Sequence, residues 1–373
     1  MKYINQEPLL TEFMLGDVHL NNRIVMASMT RGRSDNPELA PTKLHAKYYA
    51  QRASAGLILT ESVWVSERAI GSINLPGIYS KTQIEGWKGV TDAVHENGGK
   101  IFMQIVHSGA VSHPDFFNGA LPLGPSSINP QEKCYTPSGF KDTLTPRAYT
   151  IPEIKLTIEE FKRAAVNAKE AGFDGIELHA QLFTLIPQFL SEATNQRTDQ
   201  YGGSIENRSR LLFEILDALL EVFNSTQLAI KFTPAAFNHG IIRPDVNTIP
   251  TYNYLLKKLN DYKLGYIQLV RPSVELTNTP IAVLQDDFFG YFRNIYTGNI
   301  MANMGFDWNS GNAILRDNKA DLVSFARPFI ANPDLVRRFA EGITLAEASH
   351  ETFYTGGEKG YADYPSATNI IPV

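Results

Sequence analysis

His179 stands two residues beyond Glu177 at the end of a short apolar run, and Lys231 interrupts another run that is otherwise apolar. Thr30 and Arg31, Glu61 and Ser62, Gln104 and His107, Arg271, Asn303 and Arg327 occupy similar places, each where an apolar stretch gives out. An imidazole near an ammonium can bind a carboxylate or polarise a carbonyl, and help of that kind at a developing charge is often the largest catalytic contribution. Polar side chains in a strand are costly without partners, so a set of them points to a polar ligand. Each also has a plainer explanation. His179 could be a core histidine satisfied by Gln104 or Glu177. Glu177 reads as lying on the opposite face of its strand, a structural carboxylate paired with Arg208 or Arg210. Lys231 is harder to set aside, because a buried ammonium needs a partner. Met103, Met301 and Met304 read as core filler.

The elements that must position these groups are eight short, β-branched apolar runs, at 23–28, 56–62, 100–107, 173–180, 227–234, 265–272, 298–305 and 320–328. Amphipathic stretches separate them. Near-continuous apolar strands alternating with helices predict a parallel sheet covered on its outer face, and eight such units predict a closed (β/α)₈ TIM barrel over the whole chain, 1–373, as one domain. In such a barrel the C-terminal strand ends gather at one mouth, where ligands bind. Thr157 and Glu160 read as the capping box of the helix that follows, with Gly172 at its far end, and 204–223 reads as a long amphipathic helix. Segment 108–154, between the third and fourth strands, is rich in proline, glycine and aromatics. An insertion that long in a compact domain reads as a capping lid.

The bulk numbers fit an ordinary globule: 373 residues, 43% hydrophobic and 20% charged, with a formal net charge of −5. No basic stripe invites nucleic acid or an anionic membrane. Cys134 is the single cysteine, which excludes an intrachain disulfide and a cysteine-based metal cluster; no metal site is expected. The opening MKYINQEPLL lacks a signal-peptide pattern and no long apolar run follows, so the expected location is the cytoplasm.

Several longer motifs carry a resemblance. Gln188-Phe-Leu-Ser191, Asn195-Gln-Arg-Thr-Asp-Gln-Tyr-Gly-Gly-Ser-Ile-Glu-Asn-Arg208, Met29-Thr-Arg31, Leu59-Thr-Glu61, Val111-Ser-His-Pro114, Ala326-Arg-Pro-Phe-Ile-Ala-Asn-Pro333 and the segment from Phe353-Tyr354 to Pro365 follow in order over essentially the whole chain. The chain thereby resembles the old yellow enzyme family of flavin-dependent ene-reductases. The resemblance implies non-covalent FMN, reduction by NAD(P)H, and hydride transfer from the flavin to the β-carbon of an activated alkene. It implies Thr30 near the flavin C4 carbonyl, Gln104 at the pyrimidine edge, a Ser62 backbone N–H near the ring, Lys231 at the N1/C2 carbonyl edge, and Arg327 on the phosphate. It further implies that His179 donates to the substrate carbonyl and that Tyr354 lines the pocket.

The mouth departs from the family pattern. The segment from His179 reads His-Ala-Gln-Leu-Phe-Thr, so Leu182 replaces a second carbonyl donor. Thr184 replaces the phenol that protonates the α-carbon, and a threonine hydroxyl is a far poorer acid. Lys231 replaces an arginine and loses its planar fork. Met304 and Ala326 stand at the phosphate where glycines are usual, beside Gly305, and Val106 stands where tryptophan is frequent. Glycine serves where backbone approaches a ligand or adopts φ > 0. These changes imply weakened FMN retention and a specialised substrate with an activated carbonyl. Two other readings stay open: a barrel without FMN that isomerises or cyclises a carbonyl compound, and a non-catalytic binder of an apolar ligand. A homodimer is compatible with all three.

Overall fold

The computed structural model describes residues 7–237 and 240–367; residues 1–6, which begin the stretch read for a leader, lie outside the described residues. All eight expected runs are strands: β1 (Ile24–Met26), β2 (Leu57–Trp64), β3 (Ile101–Val106), β4 (Gly175–Ala180), β5 (Leu228–Phe232), β6 (Tyr266–Val270), β7 (Ile300–Asn303) and β8 (Leu322–Phe325). They pair in parallel as a closed barrel, with β8 returning to β1 through the register Val323↔Ile24, Ser324↔Val25 and Phe325↔Met26. β-branched and aliphatic side chains on both faces account for this, since the barrel interior and the layer beneath the helices are both dry.

The interior is graded. Its lower part is apolar, with Leu57, Leu59, Phe102, Tyr266, Met301 and Leu322 packed on Leu15, Val18 and Leu20. Those last three belong to an antiparallel hairpin, Phe13–Leu15 with Val18–Leu20, which plugs the bottom of the barrel. The upper part is polar and equally buried: Gln104, Glu177, Lys231, Gln268, Asn303 and Ser324. A core that changes character along its axis leaves one end able to receive a polar ligand.

The helix that leads to β4 begins earlier than Thr157, inside segment 108–154. It spans Ile151–Glu170 with Thr150 as N-cap and Glu153 completing the capping box, and Pro152 in the first turn. Both threonine–glutamate pairs match the capping spacing, but proline suits only the start of a helix. Glu160 instead sits inside the helix and accepts from Ser66 Oγ and Arg68 Nε, each at 3.0 Å. Gly172 has φ +86°, as the residue after a helix often does. The other long helix expected is Ile205–Leu220, capped by Ser204.

Within segment 108–154, strands Lys133–Thr136 and Gly139–Asp142 form an antiparallel hairpin on which Tyr135 and Phe140 stack, ring centroids 4.6 Å apart. Behind β1, Arg31 is fully buried and its guanidinium donates to the carbonyls of Phe353 and Gly360, fixing the C-terminal segment beside Thr30.

Candidate active site

The barrel mouth and the lid hairpin enclose a cavity of about 340 Å³, lined among others by Thr30, Ser62, Gln104, His179, Thr184 and Lys231. Register explains the grouping. His179 pairs with Lys231 across β4 and β5, and Glu177 pairs with Gln104 across β4 and β3. Between β2 and β3 the register shifts between Leu59 and Ser62, which brings Ser62 opposite Gln104. A bulge of this kind re-aims a side chain at the rim of a barrel.

Gln104 is held by four side chains. Its Oε1 accepts from Ser28 Oγ at 2.7 Å and Ser62 Oγ at 2.8 Å, its Nε2 donates to Glu177 Oε1 at 2.7 Å, and its backbone N–H donates to Thr60 Oγ at 3.0 Å. The Ser62 hydroxyl is therefore engaged within the protein. Glu177 does not meet Arg208 or Arg210; it lies on the same inward face as His179, as a period of two requires. Arg208 binds Glu192 and the Leu190 carbonyl, and Arg210 binds the Gln200 carbonyl.

Lys231 is buried, and among the described residues its ammonium has no hydrogen bond or ion pair. Burial lowers its pKa, and the Glu177 carboxylate nearby opposes that shift. Burial raises the Glu177 pKa, with Lys231 and Gln104 holding it back. Both shifts run against the charged forms, and each group moderates the shift of the other. Burial and then the Lys231 charge hold the His179 pKa down to about 3, so its imidazole is neutral. Thr184 sits beneath it, with Oγ 3.4 Å from His179 Nδ1 and 3.0 Å from the Gln181 carbonyl oxygen. The chain reaches that position through Leu182, which adopts a left-handed φ of +59°.

The remaining expected residues stand elsewhere. Met304 and Gly305 follow β7, and Ala326 and Arg327 follow β8, where barrels of this class commonly bind phosphate. Arg327 is exposed, and among the described residues it has no side-chain partner. Met304 has φ +87°, backbone that glycine favours, with its side chain 44% exposed. Ala326 does not: its φ is −97°, so no backbone strain attaches to it. Tyr354 is 60% exposed and does not line the cavity, because its ring packs edge-on against Phe353 outside the mouth. Ser28, Glu177, Gln268 and Ser324 were not singled out as site residues by sequence reasoning. Their signal was a polar residue at inward positions of otherwise apolar strands.

The family model for the NADH:flavin oxidoreductase / NADH oxidase family matches residues 8–346. A flavin oxidoreductase of Emericella nidulans is 37% identical, covering 97% of this chain and 98% of that protein. The 12-oxophytodienoate reductase 1 of Oryza sativa subsp. japonica is also 37% identical, over 97% of this chain and 94% of that one. Among solved structures, morphinone reductase superposes with a TM-score of 0.90 at 40% identity, covering 97% of each chain. An old yellow enzyme homologue from Zymomonas mobilis gives 0.90 at 33% identity, with 96% and 99% covered.

Proposed function

Since the chain belongs to the NADH:flavin oxidoreductase / NADH oxidase family, and is an old-yellow-enzyme-type oxidoreductase using FMN and NAD(P)H, we propose that it reduces an activated alkene conjugated to a carbonyl in the cavity beneath the lid hairpin. The observation that carries the reading is Lys231: a buried amine with no hydrogen bond or ion pair among the described residues, close to the Glu177 carboxyl and opening on a cavity beside a neutral imidazole. Such a group calls for an electron-rich ligand.

When bound, the flavin supplies the redox chemistry, taking electrons from the nicotinamide and delivering them to the alkene. Lys231 would meet the electron-rich edge of the ring. Gln104 has its carbonyl saturated by Ser28 and Ser62, so it offers the ligand its second amide N–H. Thr30 and Ser62 would border the same edge, and Arg327 with the backbone at Met304, Gly305 and Ala326 would hold the phosphate. His179 addresses the oxygen-bearing end of the substrate. The Thr184 hydroxyl is too weak an acid to protonate the product carbon, so water or another side chain supplies that proton. The proposal includes a cytoplasmic enzyme of a small molecule, with no nucleic-acid or membrane partner; the net charge of −5 supports the first exclusion, and no described helix is long and apolar enough to cross a membrane.

The test is the purified protein itself. It should carry flavin absorption, bleach on anaerobic addition of NADH or NADPH, and regain colour when an enone is added. A protein that takes no flavin yet consumes the enone overturns the proposal in favour of isomerisation or cyclisation.

Met304 sets the cofactor's retention. A non-glycine residue in left-handed backbone costs on the order of 1 kcal/mol relative to glycine. Met304→Gly should raise stability by about that amount and tighten FMN up to roughly tenfold, as titration against riboflavin, which lacks the phosphate, would show. Ala326→Gly should do neither.

A further inference from the structure

Beneath the cavity floor, three buried polar atoms lack a hydrogen-bond partner: Glu177 Oε2, the Tyr266 hydroxyl and Gln268 Oε1. Register sets them together. Glu177 and Tyr266 both pair with Ala229, from either side of β5, and Lys231 pairs with Gln268. The Tyr266 hydroxyl lies close to Glu177, but no well-aligned bond joins them. Of these four side chains only Lys231 reaches the cavity. A buried carboxylate oxygen without a partner is costly. The same carboxyl as an acid carries an O–H, and the Tyr266 oxygen lies near enough to accept it. The other groups facing the couple are fixed in charge. His179 is neutral, burial drives the Tyr266 phenol above its ordinary value so that it keeps its proton, and Gln104, Gln268 and Ser324 do not titrate. That leaves Glu177, raised by burial, and Lys231, lowered by burial, each the only charged group acting on the other among the described residues. A buried lysine gives up its proton readily, as an arginine does not.

With one proton between them, the couple is neutral whichever group carries it. A negative charge arriving above Lys231 changes the balance. Carboxylate and newcomer would then share one ammonium, and two like charges at a buried site push up the pKa of one of them. We propose that Glu177 and Lys231 are a proton store under the cavity, holding one proton at rest and taking a second from solvent when the cofactor above them gains a negative charge. This rests on the cofactor lying over Lys231, as in the proposed function. Hydride from the nicotinamide brings two electrons and one proton, and leaves the cofactor one unit more negative. The second proton enters from solvent, leaving Glu177 as an acid beside the Lys231 ammonium. When hydride passes to the alkene, the cofactor loses that charge and the couple releases its proton, matching the one that the product carbon takes up.

Carbon-13 NMR of the glutamate carboxyls in flavin-free protein, with Glu177→Gln assigning the signal, should find Glu177 still protonated where the exposed glutamates are ionised. A Glu177 that titrates with the exposed glutamates overturns the proposal. In protein kept saturated with FMN, the dependence of the two-electron midpoint potential on pH counts the protons taken up. Above neutral pH, where the cofactor itself takes one, the wild type should take up two protons per two electrons. Glu177→Gln combined with Lys231→Arg keeps a permanent cation at the cavity floor, removes both titratable groups, and should take up one. One proton in the wild type, or two in the double variant, overturns the proposal, and the wild-type count decides by itself if that variant does not fold. Because the carboxyl is read without flavin, failure to reduce any enone would count against the proposed reaction and leave the titration standing.

Discussion

Glu177→Ala should destabilise the fold by about 1–3 kcal/mol, the range found when a buried polar group loses its partner. The change strips Lys231 of the carboxyl that opposes its burial shift and strips Gln104 Nε2 of its acceptor. Glu177→Leu combined with Lys231→Met should cost far less than the sum of the single changes, because the cavity then holds no unpaired charge. The dependence on pH has a definite sign. Lys231 titrates below its ordinary value in the folded protein, so its ammonium is penalised only in that state. Raising the pH toward the unfolded value of about 10.4 removes the penalty, and the gap between Glu177→Ala and wild type should narrow. Urea melts of flavin-free protein at neutral and alkaline pH measure both effects. A single variant as stable as the wild type would show that Lys231 is content without Glu177.

His179→Ala should slow alkene reduction by about a hundredfold, the usual scale for removing a group that acts on the reacting oxygen or its proton. The melting temperature should hardly move, since among the described residues the ring's side-chain hydrogen bonding is limited to the 3.4 Å contact with Thr184. Reduction of the flavin by nicotinamide, measured separately by rapid mixing, should keep its rate if His179 serves the alkene alone. A variant that melts early while its folded fraction turns over normally would make His179 a brace for the strand.

The barrel was legible because its strands are apolar on both faces, a pattern that neither an exposed sheet nor an amphipathic helix shares. The upper polar layer was half legible. Gln104, His179 and Lys231 stand out against their runs, but Glu177 was assigned to the wrong face although a period of two places it with His179. The capping box was misplaced because the sequence offers two, at Thr150 and Thr157, and Pro152 was the signal that chooses between them. Met304 and Ala326 look alike as departures at a phosphate site, yet only Met304 adopts left-handed backbone. That distinction belongs to φ angles set by the whole loop. The contact of Thr184 with His179 was not legible, because it depends on how the chain turns at Leu182.

The seam between β8 and β1 sets the order in which this chain can be made. Ile24 leaves the ribosome early, and its partner Val323 follows about 300 residues later. At synthesis rates of about 5–20 residues per second, the edge of β1 waits roughly 15–60 s for the strand that covers it. During that interval an apolar strand with unpaired backbone groups is a template for any other extended segment. The nascent chain should therefore depend on chaperones until Phe325 emerges, and a stalled or truncated product lacking β8 should aggregate even though seven of its eight strands are present.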